Sequence, residues 1–269
     1  LAPDLPPAYY LSLGENRYLA TDATTSPWDA AAQHGGPPTA LLGACIDDTV
    51  ARADLRLARI SMDFLGPMPK AELRVEVEIL RPGRRTTLTE AVLWSGDRRV
   101  AVARAWHLAV LPPDPAGEAG APDTGDREPD SLPGPQPQSY FDGNTDWGYG
   151  RSVEWRAISG GFAAMSGAAD VWTRVRVPLV RGRPLDGLDR LLIVADSANG
   201  LSAPLSMTKW WFIPPGVTLH LHRRPVGEWV RLTAQSDAGE DGIGLTEGTL
   251  ADGRGRCGIV TQPLLVAPR

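Results

Sequence analysis

The chain has 269 residues, enough for one large domain or two of ordinary size, and its 42% hydrophobic and 22% charged content is that of a globular protein. A net charge of -5 at pH 7 argues against a general nucleic-acid binder. Two cysteines, Cys45 and Cys257, exclude a disulfide framework and a four-thiolate metal site, and no apolar run approaches the roughly 20 residues that span a bilayer.

Lys occurs only at Lys70 and Lys209, so the basic residues are nearly all Arg, which reads as coding bias before Arg chemistry. Leu1-Ala2-Pro3-Asp4 carries neither the basic nor the apolar segment of a secretory signal. A cytoplasmic protein with no membrane partner is the expectation.

Tyr9 to Ala20 reads as a short hairpin turning at Gly14-Glu15-Asn16, and Trp28 to Gly36 as irregular. From Pro37 to about Arg52 the spacing predicts a helix, with Leu42, Cys45 or Ile46, and Thr49 or Val50 on one stripe and Asp47 and Asp48 opposite. Prolines suit its first turn, where a missing N–H costs nothing. Strands follow. Ile60, Met62 and Phe64 alternate with Ser61, Asp63 and Leu65, and Leu73, Val75, Val77 and Ile79 alternate with Arg74, Glu76 and Glu78. Turns at Pro82-Gly83 and Gly96-Asp97 then bracket strands over Thr86–Trp94 and Val100–Leu111. Consecutive strands with tight turns predict an antiparallel sheet on which the helix packs, an α+β unit.

Leu111 to Gln138 is crowded with Pro, Gly and Asp and reads as a surface connection between domains. The expected division is therefore 1–111, a linker over 112–139, and 140–269. The second half repeats the order of the first. A strand is predicted over Val171–Pro178 and a helix over Leu185–Asn199, stopped by Gly200 and Pro204. Strands are then predicted over Leu205–Phe212, Val217–Arg224, Trp229–Gln235, Ile243–Leu250 and Cys257–Val266.

The two halves share a register. Leu88-Thr89-Glu90 matches Leu245-Thr246-Glu247 at an offset of 157, which also superposes Val102-Ala103 on Ile259-Val260 and Gly43 on Gly200. Such a repeat predicts two similar units about a pseudo-two-fold axis, like a homodimer fused into one chain.

The helix, the following sheet, the repeat and His34-Gly35-Gly36 before the first helix together resemble the acyl-CoA thioesterase II-like family. The resemblance covers nearly the whole chain except the linker. It rests most on Gln33–Asp47 (QHGGPPTALLGACID), Val217–Trp229 (VTLHLHRRPVGEW) and Cys257–Val266 (CGIVTQPLLV). It implies a tandem double hot-dog, each long helix wrapped by its sheet and the two sheets joined back to back. It also implies acyl-CoA as substrate, no cofactor and no metal, and leaves room for a homo-oligomer. Water held by an Asp, a Thr or Ser, and a Gln would attack the thioester. By register the Asp falls on Asp196 and the Gln on Gln262. The hydroxyl position reads Ile213-Pro214-Pro215-Gly216, so that member is missing; Thr208 and Thr218 are nearby in sequence.

The residues themselves bear on these roles. Asp196 follows Leu191 to Ala195, so its carboxylate should lie on or beside a buried face in the last helical turn. Both burial and the helix dipole disfavour its charge there, and a raised pKa would suit a general base. The alternatives are a solvated Asp or one paired to an Arg. Gln262 offers a donor and an acceptor at once, although Gln on a strand edge is ordinary surface chemistry. Gly35 and Gly36 could let backbone N–H groups reach a thioester oxygen, or simply turn the chain; His34 could be a base, but no carboxylate at an obvious spacing orients it. His220 and His222 share a strand face and read as a polar face or groove wall before a metal site. Arg81, Arg84, Arg85, Arg223 and Arg224 could meet CoA phosphates or be solvated turn residues. Of Trp210-Trp211-Phe212, one ring should face the core and another a cleft.

Three functions compete at this stage. Hydrolysis of acyl-CoA in a composite site uses Asp196, Gln262 and the His34-Gly35-Gly36 segment. An acyl-CoA or acyl-carrier-protein binding module would be a hot-dog shell whose chemistry has decayed at Pro214. A hydratase or dehydratase is weakest, because no Asp is paired with a nearby His in one loop.

Overall fold

The computed structural model describes residues 5–111, 132–136 and 147–269. The N-terminal hairpin is β1 (Tyr10–Gly14) and β2 (Arg17–Ala20). Glu15 and Asn16 turn it with φ of 51° and 56°, the left-handed pair that a two-residue hairpin needs. Helix α1 (Gly36–Val50) follows, then β3 (Leu55–Phe64), β4 (Glu72–Arg81), β5 (Thr86–Ser95) and β6 (Arg98–Ala109). The second half has α2 (Gly148–Ser152), β7 (Val153–Ser159), β8 (Ala168–Val175), α3 (Gly187–Ala195) and α4 (Ala198–Leu201). It closes with β9 (Trp210–Ile213), β10 (Gly216–Leu221), β11 (Trp229–Ala238), β12 (Ile243–Asp252) and β13 (Gly255–Pro268).

The offset of 157 holds strand by strand: β4 and β11 span equivalent residues, as do β5 and β12. Each half is a helix wrapped by an antiparallel sheet, as the alternation required. The join between halves differs from expectation. The sheets are not back to back; they meet edge to edge through antiparallel pairing of β3 with β10, making one 13-stranded sheet. At this seam Ser61 pairs with Thr218, its own repeat equivalent 157 residues away, and their hydroxyls are 2.9 Å apart. A residue can face its own equivalent only on the symmetry axis, so the pseudo-two-fold passes through this pair. The edge strands of two open sheets thereby satisfy each other's backbone groups.

Inside the curl, α1 and α3 pack against each other. Residues 36–46 of α1 are buried on every side, which hides the one-striped pattern expected of it. Leu191, Leu192, Ile193 and Val194 of α3 are fully buried, each contributing roughly 1.5–3 kcal/mol. Glycines set the spacing. A Cβ at Gly36 would fall 1.9 Å from the Ile193 carbonyl oxygen, and one at Gly43 would fall 2.5 Å from Leu192 Cδ1.

Other boundaries moved for local reasons. The second helix breaks at Asp196-Ser197, and Gly200 lies inside α4 rather than ending the helix. The strand expected from Leu205 begins only at Trp210, because the Ser206 carbonyl accepts the Lys209 and Trp210 amides in a turn. Strand β10 ends at Leu221, before Arg223 and Arg224 turn away to Asp252 and to Asp47 with Asp186. Ile79 is exposed, and α2 and β7 were not expected from the sequence pattern. The stretch expected as a connection over 112–139 lies outside the described residues except for 132–136. No helix among the described residues is long and apolar enough to cross a membrane.

Gly36→Ala should lower stability by about 3 kcal/mol or more, or prevent folding. Gly182→Ala, at φ 82° with open space around its Cβ, should cost only about 1–2 kcal/mol. Urea unfolding of both variants compares them; equal losses would contradict a tight helix–helix backbone contact.

Candidate active site

The five residues singled out from sequence lie together where α1 crosses α3. Asp196 sits at the C-cap of α3, with φ -69° and ψ -6°, and its carboxylate is turned inward with the residue only 6% exposed. Gln262 is fully buried on β13, an interior strand between β10 and β12, not at an edge. Its amide is oriented by its neighbours: Oε1 accepts the Asn199 backbone N–H at 3.1 Å, and Nε2 donates to Asp196 Oδ1 at 3.0 Å. Asn199 is held in turn by donating from Nδ2 to the Phe212 carbonyl at 3.1 Å. The helix break thus supplies a free amide that fixes the Gln, and the Gln fixes the Asp.

From the other half, the Gly35 backbone N–H donates to the Asp196 carboxylate. A Cβ at Gly35 would fall 2.5 Å from Asp196 Oδ2 and 2.7 Å from Phe64 Cζ, so only glycine lets this loop reach the carboxylate. His34 Nδ1 lies 3.5 Å from Asp196 Oδ2 and accepts the Gly36 N–H at 3.1 Å. Its ring stacks on Tyr149, centroids 3.9 Å apart and planes 3° apart. Tyr149 belongs to a buried aromatic cluster with Trp147, Trp155 and Phe162. The Tyr149 hydroxyl also bonds the Ile193 carbonyl at 2.9 Å and Ser197 Oγ at 2.8 Å, tying the His34 platform to the end of α3.

The approach of His34 to Asp196 is not an ion pair. The Nδ1 lone pair is taken by Gly36, which places the imidazole proton on Nε2. Burial pushes the His34 pKa down to about 3. Burial also drives Asp196 up to about 7, against the smaller downward pull of the Gly35 and Gln262 hydrogen bonds. No Lys or Arg forms a salt bridge with Asp196 among the described residues, so neither the solvated nor the Arg-paired alternative holds. His34 Nε2–H meets no acceptor among the described residues.

Several expectations need correction. The N–H groups of Gly35 and Gly36 are both engaged, by Asp196 and His34, Pro37 and Pro38 have none, and the Thr39 N–H is bonded to the Gly35 carbonyl. The start of α1 therefore offers no idle backbone donor. The carboxylate beside His34 comes from Asp196, 162 positions further along the sequence, but what orients the ring is the Gly36 N–H and the Tyr149 face. No hydroxyl hydrogen-bonds to the Asp196 carboxylate or the Gln262 side chain among the described residues: Thr218 faces out at the seam with Ser61, and Thr208 bonds Ser206. Arg223 and Arg224 are committed to Asp252 and to Asp47 with Asp186. Phe212 faces the core, while Trp211 lies against Trp28 at 5.6 Å and under Arg269. No three His, Cys, Asp or Glu side chains come together as a metal site among the described residues. Both cysteines are free and buried. Reading from sequence missed Tyr149 and Asn199; only the aromatic density of residues 147–155 hinted at the first.

Two repeated halves, each wrapping its helix with its own part of one continuous antiparallel sheet, define a tandem double hot-dog fold. The chain belongs to the acyl-CoA thioesterase family: residues 24–108 match the model of its N-terminal domain, and residues 122–266 match that of its C-terminal domain. Among solved structures it is similar to a conserved hot-dog protein from Alicyclobacillus acidocaldarius, at 16% identity and TM-score 0.71 over 97% of both chains. It is similar to the acyl-CoA thioesterase II TesB2 of Mycobacterium marinum, at 16% identity and TM-score 0.64, over 97% of this chain and 95% of that one. The tesB protein of Mycobacterium avium subspecies paratuberculosis gives 16% identity and TM-score 0.63 over 96% of both. At such identities the likeness is one of fold. No curated protein matches the sequence.

Titration of Asp196 makes stability pH-dependent. Between the ordinary 3.8 and the raised value near 7, the folded state keeps a proton that the unfolded chain has released. Stability therefore falls as pH rises through that window and is level above it, a cost of about 4 kcal/mol. Asp196→Asn should raise the unfolding midpoint at about pH 8 and give little or no gain at about pH 4. Thermal melts at the two pH values check this; equal shifts at both would contradict a buried, titrating carboxylate.

Proposed function

We propose that the protein hydrolyses acyl-CoA thioesters, with Asp196 as general base in one site built from both halves, 1–111 and 140–269, joined through 112–139. The observation that carries the reading is the Asp196 carboxylate itself. It is buried with no Lys or Arg salt bridge among the described residues, and it is held by Gln262 and Gly35 rather than neutralised. A carboxylate kept at such a cost has a task.

Above about pH 7 Asp196 is ionised and takes a proton from water as that water attacks the thioester carbonyl. The new C–O bond forms, the carbonyl oxygen gains negative charge, and the C–S bond then breaks. Asp196 returns its proton to the departing thiolate; a pKa near 7 suits both taking and giving it. Gln262 acts as a positioning residue, aiming the carboxylate through Oδ1. The oxyanion falls to His34 rather than to glycine amides: a neutral imidazole with its proton on Nε2 can donate without carrying charge into a dry site. Gly35 and Gly36 set the approach of the loop and the tautomer of His34.

One observation favours a second reading, acyl-CoA or acyl-carrier-protein binding without turnover: Pro214 and Pro215 stand where the resemblance expects a hydroxyl. Thiol release from a panel of acyl-CoA substrates decides between them. Hydrolysis predicts release that falls by about 10²–10⁴ in kcat for Asp196→Asn. Binding of acyl-CoA with no release at any chain length favours the second reading.

The acid limb of the wild-type rate should lie near pH 7, activity rising with pH. Since the Gln262 hydrogen bond lowers the Asp196 pKa, Gln262→Ala should move that limb to higher pH as well as reduce the rate. An unmoved limb would leave Gln262 a packing residue only.

A further inference from the structure

The outer face of the sheet carries a hollow of about 540 Å³ at the seam between the halves, on the side of the sheet away from Asp196. A single row across neighbouring strands forms its floor: Trp106 of β6 pairs with Arg59 of β3, Arg59 with His220 of β10, and His220 with Ile259 of β13. Arg256 and His222 complete the wall, and no Asp or Glu is among the lining residues. In a chain of net charge -5 this is an unusual concentration of one sign.

Bulges aim the two arginines. An extra residue at Ala58 puts both Ala58 and Arg59 on the outer face, the small one deepening the hollow and the large one crossing it. The Arg59 Nε is buried and has no hydrogen-bond partner among the described residues. An extra residue at Cys257 similarly turns Arg256 outward, opposite Ala251. Its repeat equivalent, Arg99, sits beside the same bulge but lies over the Trp94 ring at 5.0 Å. Ala251 offers Arg256 no such platform, and Arg256 has no ion pair among the described residues. Across the pseudo-two-fold axis, the pair equivalent to Arg59–His220 is Gly216–Asp63, and Trp106 becomes Pro263. The cationic hollow therefore exists on one side only. Its field is felt by His222, whose pKa is lowered by burial and then by Arg223 and Arg256.

We propose that this hollow is a binding site, separate from the thioester site, for a small phosphate-bearing ligand with a planar ring. The phosphates lie between Arg59, Arg256 and the two histidines, where planar guanidinium forks match phosphate oxygens. The ring lies against Trp106, Leu108 and Ile259. The volume is within the range of small-molecule sites.

Calorimetric titration of the whole protein with ADP, inorganic pyrophosphate and adenosine tests it. ADP should bind with Kd below about 100 μM, pyrophosphate more weakly, and adenosine without measurable heat. Arg256→Gln, at an exposed position, and Arg59→Gln should each weaken ADP at least about 10-fold. Arg99→Gln should leave ADP binding unchanged, and so should Asp196→Asn, which separates this site from the thioester site. Trp106→Leu should weaken ADP but not pyrophosphate. Absence of heat from both ADP and pyrophosphate at about 1 mM would overturn the proposal, as would ADP binding that survives both Arg59→Gln and Arg256→Gln or is lost in Asp196→Asn.

Discussion

The contact on which the rest depends is the approach of two backbones, Gly36 at the start of α1 against the Ile193 carbonyl near the end of α3. Without a Cβ at Gly36 the helices close to a distance that no other residue permits. That closeness carries His34 and Gly35 across to Asp196, so a loop of one half completes the surroundings of a carboxylate in the other. Tyr149 locks the arrangement from behind, stacking on His34 while its hydroxyl bonds the same Ile193 carbonyl. Packing and site geometry are here one feature. The glycine that lets the helices touch also gives its N–H to His34 and thereby sets which imidazole nitrogen holds the proton.

The energetics of Asp196 run against the fold around it. A helix C-cap and a dry interior both disfavour its negative charge, and two hydrogen bonds offset only part of that penalty. The break between α3 and α4 serves this balance. It frees the Asn199 amide to hold Gln262 Oε1, leaving Nε2 to meet the carboxylate. A continuous helix would have spent that amide on its own carbonyl ladder. Stability is thus given up locally to keep a carboxylate whose pKa is near neutrality.

The repeat is symmetric in its backbone and asymmetric in its chemistry. The axis runs through the Ser61–Thr218 pair, and the strands on either side keep one offset. At the positions equivalent to Asp196 and Gln262 the first half has Thr39 and Ala105, both fully buried; Thr39 spends its hydroxyl on the Gly35 carbonyl. The hydrogen-bonded Asp–Gln pair at these equivalent positions therefore belongs to the second half alone. The first half instead contributes the His34-Gly35 loop that closes around Asp196. The outer face diverges in the same way, with the cationic row at the seam lacking a counterpart across the axis.

The fold was largely legible in the sequence because its determinants are local. Period-two alternation marked β3 and β4, turn residues bracketed β5, and one offset of 157 tied the halves together. Asp196 and Gln262 could be singled out because the family resemblance placed an Asp and a Gln there by register; a carboxylate after five apolar residues added weight to the first, while a Gln in a strand carried little signal of its own. What the linear order could not carry was distance. The edge-to-edge seam, the helix break, the partnership of His34 with Asp196 and the loss of the Gly35 and Gly36 amides to internal acceptors all depend on contacts between residues far apart in sequence. Periodicity reports which face a side chain takes. Only the packed structure decides what meets it there, because partners across two halves are brought together by burial and not by spacing.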